Sequence, residues 1–574
     1  MIKKAKQMVF LFMKDFTFLL KKGLVIILLG LFCLSLIPVM GLSFTTNSGP
    51  LEVKAIHSRN WSVNPVTLRY PGQFHDYYEM EEEIAYFNTQ APDIIDLEVL
   101  GQSYNGLNIT CLRITNETDT RQKAKTLVVA HHHGREQITV EAALRFIMRL
   151  INNYGIDPIL TEYVNTQEIY IIPSLNPDTL EHVVNQGNYW LRKNLHPFDH
   201  DLDGQFDEDG YEDINGDGTI SSFDVYDSTP VYQFTYFEGI DNDADGEKNE
   251  DPVGYVDLNR NYPSGFGNEP GSSSDPYHDA YRGPSAFSEP ETQVFRDFTS
   301  LHRFAMAYSL HSGINATYFP SDQSENWLEP LLYNIIYNDL ESLLPPWWNE
   351  DVGYYAQSIR GIREDLAAGY YGLWQDWMYE ERNTLVPICF EIFRNESSVS
   401  GDAISVFEDN ATHYIEEWTG IYGYFNPVSA GIDALWTDII PAFDYLLQLT
   451  PRLIATLTSA IFGNNTITAT INIHNLSPRL STIDAIEFRN SNGFLLQTFP
   501  AIAAAQSGPI TLTISQTDLG VNNTLLIGNN YTGYIHLIIT EMLPPPIPGF
   551  PITSIILGTI ATIGILIILR RKRN

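Results

Sequence analysis

The sequence is poor in cysteine and in positive charge. Only Cys33, Cys111 and Cys389 occur, and Cys33 sits in an apolar stretch, so at most one internal disulfide is possible and no disulfide scaffold holds the chain together. Lys and Arg number 34 against 70 Asp and Glu, a net charge of −36. That balance repels phosphate backbones and removes the electrostatic term on which nucleic-acid binding depends, so no polynucleotide partner is expected. Acidity does not make the chain disordered. Of its 574 residues 44% are hydrophobic and 12% aromatic, enough to bury a real core, and the length exceeds one compact domain.

Uncharged apolar runs mark the two ends. Residues 23–44 carry no charge and follow Lys3, Lys4, Lys6, Lys14, Lys21 and Lys22, so residues 1–44 read as a signal peptide or signal anchor, followed by a linker over 45–72. At the other end a Pro-rich stalk, 543–550, leads into an Ile- and Leu-rich run, 551–569, about long enough to cross a hydrocarbon core. The basic tail 570–574 marks the cytoplasmic side, which turns the bulk of the chain outward from the cell membrane. Pro548-Gly-Phe550 before the run makes the tail resemble the sorting signal of some archaeal surface proteins, which is cut off and replaced by lipid; a permanent single-pass helix is the other reading. Sequons at Asn60, Asn108, Asn116, Asn315, Asn395, Asn410, Asn464, Asn475, Asn522 and Asn530 agree with an outer face.

Between these ends, strand-like runs at 126–130, 168–172 and 304–308 alternate with helical stretches over residues 73–426. Leu144, Ile147, Met148 and Ile151 fall on one face of a helix. Strand, turn, helix, strand predicts an α/β sheet. After a connector at 427–450, runs such as 466–473 and 510–514 alternate with period two, predicting a separate all-β, sandwich-like accessory domain over 451–542.

The chemistry begins where the first core strand hands over to a helix. His133-Gly-Arg-Glu136 places an imidazole and a carboxylate within reach of one ion, and His311, closing another strand, supplies a second nitrogen. Two nitrogens and a carboxylate with one open position is how a catalytic zinc is held.

Further motifs follow in a fixed order: Asn176-Pro-Asp178, Trp190 to Asn194, Val256-Asp-Leu-Asn-Arg-Asn261, Tyr281 to Glu291, Leu310-His-Ser312, Asp376-Trp-Met-Tyr379 and Phe390-Glu-Ile392. With His133 to Glu136 they resemble the zinc metallocarboxypeptidases, the family of carboxypeptidases A and B, over about residues 75–424. The resemblance implies a mixed open sheet flanked by helices, and hydrolysis of the C-terminal peptide bond of peptides or proteins. It implies zinc on His133, Glu136 and His311, Glu391 as general base toward water, and Arg192 polarising the scissile carbonyl. Asn259 and Arg260 would grip the terminal carboxylate, with Arg135 as a secondary contact. No tyrosine stands at the family's usual offset before Asp376, so Tyr370 or Tyr371 is the candidate for the capping tyrosine. Gln375, where relatives carry an apolar or acidic pocket residue, points to neither an aromatic nor a basic preference.

Residues 199–252 interrupt this domain between Arg192 and Asn259. Asp213, Asn215, Asp217 and Asp224, with Gly218 at the turn, have the spacing of an EF-hand calcium loop. Asp199, Asp201 and Asp203, and Asp241, Asp243 and Asp245, share its first half, so structural calcium is expected. Two other functions are compatible with the residues: an amidase acting on γ-glutamyl or cell-wall peptides, and a non-catalytic carboxylate-binding surface protein in which Glu391 is dispensable.

Overall fold

The structure, a computed structural model, describes residues 65–216, 220–227, 232–246, 248–269, 271–314, 317–320, 330–345, 370–395, 413–418, 421–519 and 521–541. The expected signal segment, stalk, terminal apolar run and basic tail, along with Asp217, lie outside them. Among the described residues no helix is long and apolar enough to cross a membrane.

The chain runs through α1 (Tyr77–Gln90), β1 (Ile95–Gln102), β2 (Asn108–Ile114), β3 (Ala124–Ala130), α2 (Ile138–Asn153), α3 (Pro158–Thr166), β4 (Gln167–Ile172) and α4 (Pro177–Gln186). It continues with β5 (Ser222–Asp227), β6 (Tyr232–Phe237), α5 (Pro290–Ser300), β7 (Met306–His311), β8 (Thr317–Tyr318) and α6 (Pro330–Leu343). Then come α7 (Trp374–Glu380), β9 (Val386–Glu391), β10 (His413–Trp418), α8 (Ile421–Phe425) and α9 (Ile432–Leu449). A seven-stranded sheet of order β1-β2-β4-β3-β7-β9-β8 forms the frame. Its centre, β4-β3-β7-β9, is parallel, and its two margins are antiparallel.

The central strands are apolar on both faces because helices cover both. In β3, Val128 and Ala130 enter one core, with residues of α1, α2, α3, α6 and α9, whereas Leu127 and Val129 enter a second with α5 and α7. The period of two along the strand thus distributes side chains between two helical layers. On α2 the predicted stripe holds, with Leu144, Ile147 and Ile151 buried and Met148 at its edge. Residues 427–450, expected as a connector, contain α9, whose Ile439, Phe443 and Leu446 belong to the first core.

Beyond α9 the helical period ends, and β-branched alternation produces β11 (Leu453–Phe462), β12 (Thr466–Asn475), β13 (Ile486–Asn490), β14 (Leu495–Phe499), β15 (Ser507–Ser515), β16 (Thr524–Asn529) and β17 (Gly533–Ile538). They form two antiparallel sheets, β11-β12-β15 and β14-β13-β16-β17. Ile471 and Leu512 of one sheet meet Phe488 and Ile527 of the other in a shared core. Asn475, a sequon asparagine, is fully buried there and donates to Leu480 O at 2.7 Å. It is therefore no glycan acceptor in the folded chain.

The lead-in to α1 is fastened by charge. Asp76 caps the helix, accepting from Glu79 N at 2.8 Å, and the His75 ring lies 2.8 Å from Glu141 and 3.6 Å from Glu83, with none of its side chain exposed. Arg145 completes the cluster by reaching both Glu141 and Asp433. Burial alone would lower the His75 pKa; the carboxylates of Glu141 and Glu83 outweigh it and raise it from 6.5 to about 9. A raised folded-state pKa contributes stability that is fully present below about 6.5 and lost as pH rises through about 9. Melting temperature should therefore decline across that window, and His75→Gln should flatten the decline; a profile identical in the two proteins would refute the assignment.

Candidate active site

Strand order decides where side chains meet. The chain builds outward from β3 toward β4 first and toward β7 afterward, and the mouth of an open sheet lies at the carboxyl ends of its parallel strands, at this change of direction. His133 and Glu136 follow the end of β3, His311 is the last residue of β7 and Glu391 the last of β9, paired in register with His311. The turn after β3 is sharp: His131 has φ +58°, and its ring is held by Ser174 Oγ at 2.9 Å and Gly134 O at 3.1 Å. Gly134 permits the approach of the Arg192 segment. A Cβ there would stand 2.9 Å from Leu191 O, and Gly134 N–H donates to Arg192 O.

The three predicted metal donors converge. His133 Nδ1 lies 2.7 Å from Glu136 Oε1, His311 Nδ1 lies 3.0 Å from Glu136 Oε2, and the two nitrogens are 3.3 Å apart. Burial pushes Glu136 up, but the His133 and His311 rings outweigh it and hold the carboxyl well below its usual range. Glu391 goes the other way. Burial and then the negative charge of Glu136 raise it well above the carboxylate range, against the pull of Arg192.

Asp257 organises the surroundings. Its Oδ1 lies 3.1 Å from His133 Nε2 and accepts from Asn259 N at 2.9 Å, while Oδ2 accepts from Arg192 Nε at 2.9 Å. Arg192 thereby points its outer nitrogen at the donor cluster, 3.3 Å from His133 Nδ1. The Leu258–Arg260 turn carries Asn259 and Arg260, and Asn259 Oδ1 accepts from Trp374 N at 3.0 Å. Arg260 donates to Gly271 O and Asn259 O at 2.6 and 2.8 Å, and its guanidinium lies 5.1 Å from the Tyr370 ring centre. Gly372 makes this contact possible: it has φ +71°, and a Cβ would stand 2.0 Å from Arg260 O.

His133, Glu136, Arg192, Asn259, Arg260, His311 and Glu391 face one cavity of about 360 Å³, which also takes in Arg135, Tyr370, Gln375 and Cys389, while Asp257 lies behind its wall. Arg135 lies over the Phe425 ring at 4.6 Å and reaches Asp279 at 3.3 Å. Gln375 is buried in the first turn of α7, and its Oε1 has no hydrogen-bond partner among the described residues. Cys389 and Cys111 are both buried free thiols.

Residues 80–399 match the family model described as Peptidase_M14, zinc carboxypeptidase. The chain belongs to the zinc carboxypeptidase family. It is 31% identical to a zinc carboxypeptidase of Saccharothrix mutabilis subsp. capreolus over 137 residues, 23% of this chain and 31% of that one. It is 24% identical to carboxypeptidase A5 of Macaca fascicularis over 317 residues, 54% of this chain and 57% of that one. The match thus spans less than two thirds of either relative. Thrombin activatable fibrinolysis inhibitor aligns in three dimensions with 18% identity and a TM-score of 0.44, over 66% of this chain and 74% of that one. The donor set fits the family's zinc: two neutral-capable imidazole nitrogens and one carboxylate, all buried, converge beside a second carboxylate whose charge burial disfavours.

The insertion leaves and rejoins the domain at one place, since Asn194 N donates to Val256 O and Tyr255 N to Asn194 O. Within it β5 pairs with β6 and with the later β10. Asp199 to Asp209 and Asp241 to Asp251 repeat one pattern, Asp-x-Asp-x-Asp-Gly-x-x-(Asp/Asn)-Glu-Asp. Each copy's last aspartate caps the other copy: Asp251 accepts from His200 N and Asp207 N at 2.9 Å, and Asp209 from Asn242 N at 3.4 Å and Asn249 N at 3.0 Å. Asp201, Asp203, Glu208 and Asp243 converge, as do Asp201, Asp243, Asp245 and Glu250. Asp199 and Asp241 instead accept from Gly204 N and Gly246 N of their own loops. In the third loop Asp213 accepts from Gly216 N, and Glu238 takes the amides of Ile214, Asn215 and Ser221. The side chain of Asp224 lies outside the described residues, as does Asp217. Glu208, Glu250 and Asp257 escaped the sequence reading, although the repeat carrying the first two was visible in it.

Proposed function

We propose that the chain is a zinc-dependent metallocarboxypeptidase that removes the C-terminal residue of peptides or proteins outside the cell. The observation that carries this reading is the meeting of a two-histidine, one-glutamate donor set with Glu391, Arg192, Asn259 and Arg260 in one cavity. His133, Glu136 and His311 would hold zinc, which when bound would supply Lewis acidity toward water and a carbonyl. Glu391 accepts a proton from the attacking water at its carboxylate and returns it to the leaving amine. Arg192, its charge fixed by Asp257, faces the developing oxyanion. Asn259 and Arg260 hold the terminal carboxylate, which restricts cleavage to the chain end. Gln375 presents a neutral amide to the side chain of the released residue and favours neutral polar groups over aromatic or basic ones, since an apolar partner would leave that amide unpaired.

A peptide and its C-terminally amidated form test this function, and a metal assay with turnover on a mixed peptide library separates it from the amidase and the non-catalytic protein. Turnover should be confined to the free acid, and Arg260→Ala should raise KM and narrow the difference between the two forms. Equal turnover of both forms by the unsubstituted protein would overturn the reading.

We further infer that the insertion binds calcium. Burial and Asp251 push Glu208 up to about 6, and burial and Asp209 push Glu250 up to about 7; a divalent cation within each carboxylate group would relieve that crowding. Calcium should raise the melting temperature, because an ion that binds only the folded state stabilises it. Asp201→Ala with Asp243→Ala should abolish that response; a retained response refutes the paired-site reading. We also propose that the chain is held at the outer face of the membrane, with the C-terminal β sheets as a spacer. Intact mass of protein from its native membrane decides the form of the anchor: retention of Arg570 to Asn574 excludes the sorting signal, and their loss with an added lipid excludes the permanent helix.

A further inference from the structure

His311 is held on its far side by a buried chain of hydrogen bonds. Its Nε2 lies 2.9 Å from Ser309 Oγ, Ser309 Oγ lies 2.9 Å from His132 Nδ1, and His132 Nε2 lies 3.2 Å from Tyr262 Oη. His132, Ser309 and Tyr262 are fully buried. The His132 and His311 rings stack with centroids 5.3 Å apart, and Tyr262 is fixed in turn against Trp377 at 5.4 Å. Ser309 and His311 point the same way because they stand two apart on β7.

We propose that His132 is a positioning residue for the metal site, acting through Ser309 to fix the tautomer of His311. The proposal rests on the reading of His133, Glu136 and His311 as metal ligands. For Nδ1 of His311 to be a donor it must carry no proton, so Nε2 carries it and donates to Ser309 Oγ. A serine hydroxyl is ambivalent, since it accepts or donates according to its other neighbour. His132 removes the ambivalence. Its Nδ1 accepts the Ser309 proton, which leaves the Oγ lone pairs to Nε2–H of His311, and its own Nε2–H donates to Tyr262 Oη. Without His132 the hydroxyl is free to turn and donate to Nε2, which favours the tautomer protonated at Nδ1, the form that cannot bind the ion.

The experiment measures zinc affinity by competition with a chelator, together with the melting temperature of the zinc-free protein. His132→Phe keeps a ring of similar shape but removes the acceptor, and should weaken zinc binding roughly 10- to 100-fold with the zinc-free melting temperature near that of the unsubstituted protein. His132→Asn, whose Oδ1 can replace Nδ1, should recover most of the affinity. Ser309→Ala should cost as much as His132→Phe, and the two together little more than either alone. A zinc affinity unchanged in Ser309→Ala overturns the proposal, whether or not His132→Phe folds. Additive losses, or a lowered melting temperature with unchanged affinity, also overturn it and reduce His132 to a packing residue. Unsubstituted protein that takes up no zinc would overturn the ligand reading itself, and this proposal with it.

Discussion

Replacing Glu391 by Gln is expected to lower turnover by at least about a hundredfold while zinc content stays at one ion per chain. The carboxylate ends β9 beside His311, in register with it across the sheet. The amide keeps its volume and lacks only the ability to accept a proton. Because the amide fills the same space as the carboxylate, the variant should melt close to the unsubstituted protein. A loss of turnover is then a loss of chemistry rather than of folding. Near-normal turnover with zinc intact would remove Glu391 from its role as general base.

Asp257→Ala should be the more destructive change. One fully buried carboxylate orients His133, neutralises Arg192 and supports the turn that carries Asn259 and Arg260. Its own pKa is held well below the usual range: burial pushes it up, but Arg192, Arg260 and His133 outweigh that effect. Removing one partner from such a buried cluster leaves uncompensated charge, at a cost of about 3–5 kcal/mol, and loss of the contact to a ligand histidine weakens metal binding roughly 10- to 100-fold. Thermal unfolding and zinc titration should both report the change. Asp257→Asn should retain part of the geometry but lose the neutralisation, so its zinc affinity should fall between the two. A stable Asp257→Ala variant with ordinary zinc affinity would show that the turn and His133 are held by other means.

The candidate metal donors were legible in the sequence because each closes or follows an apolar run, and a strand that is buried on both faces ends abruptly where polar chemistry begins. His133, His311 and Glu391 all mark such ends. Asp257 stood inside a recognised motif, yet its partners Arg192 and His133 lie far away in the chain, and no local period points to them. The helix α9 was overlooked for a different reason: it follows the last family motif and carries Pro441 in its interior, although Leu435, Trp436, Ile439, Phe443 and Leu446 hold a helical period along its buried face. In the insertion the first half of each calcium-like loop was clear from its spacing. Glu208 and Glu250, which complete it, were not, because each stands at the tenth position of its copy rather than at the twelfth of an EF-hand loop.

The hydrogen bonds between Asn194 and the Tyr255–Val256 pair give the insertion a meaning beyond its charge. A segment whose two ends are already joined adds little closure entropy to the core that it leaves, and Arg192 and Asn259 are placed by contacts that lie inside that junction. The junction is therefore a graft point in the fold. A change in the length of the acidic excursion beyond this junction need not displace Arg192 or Asn259, whose contacts to Asp257 and Trp374 lie on its core side.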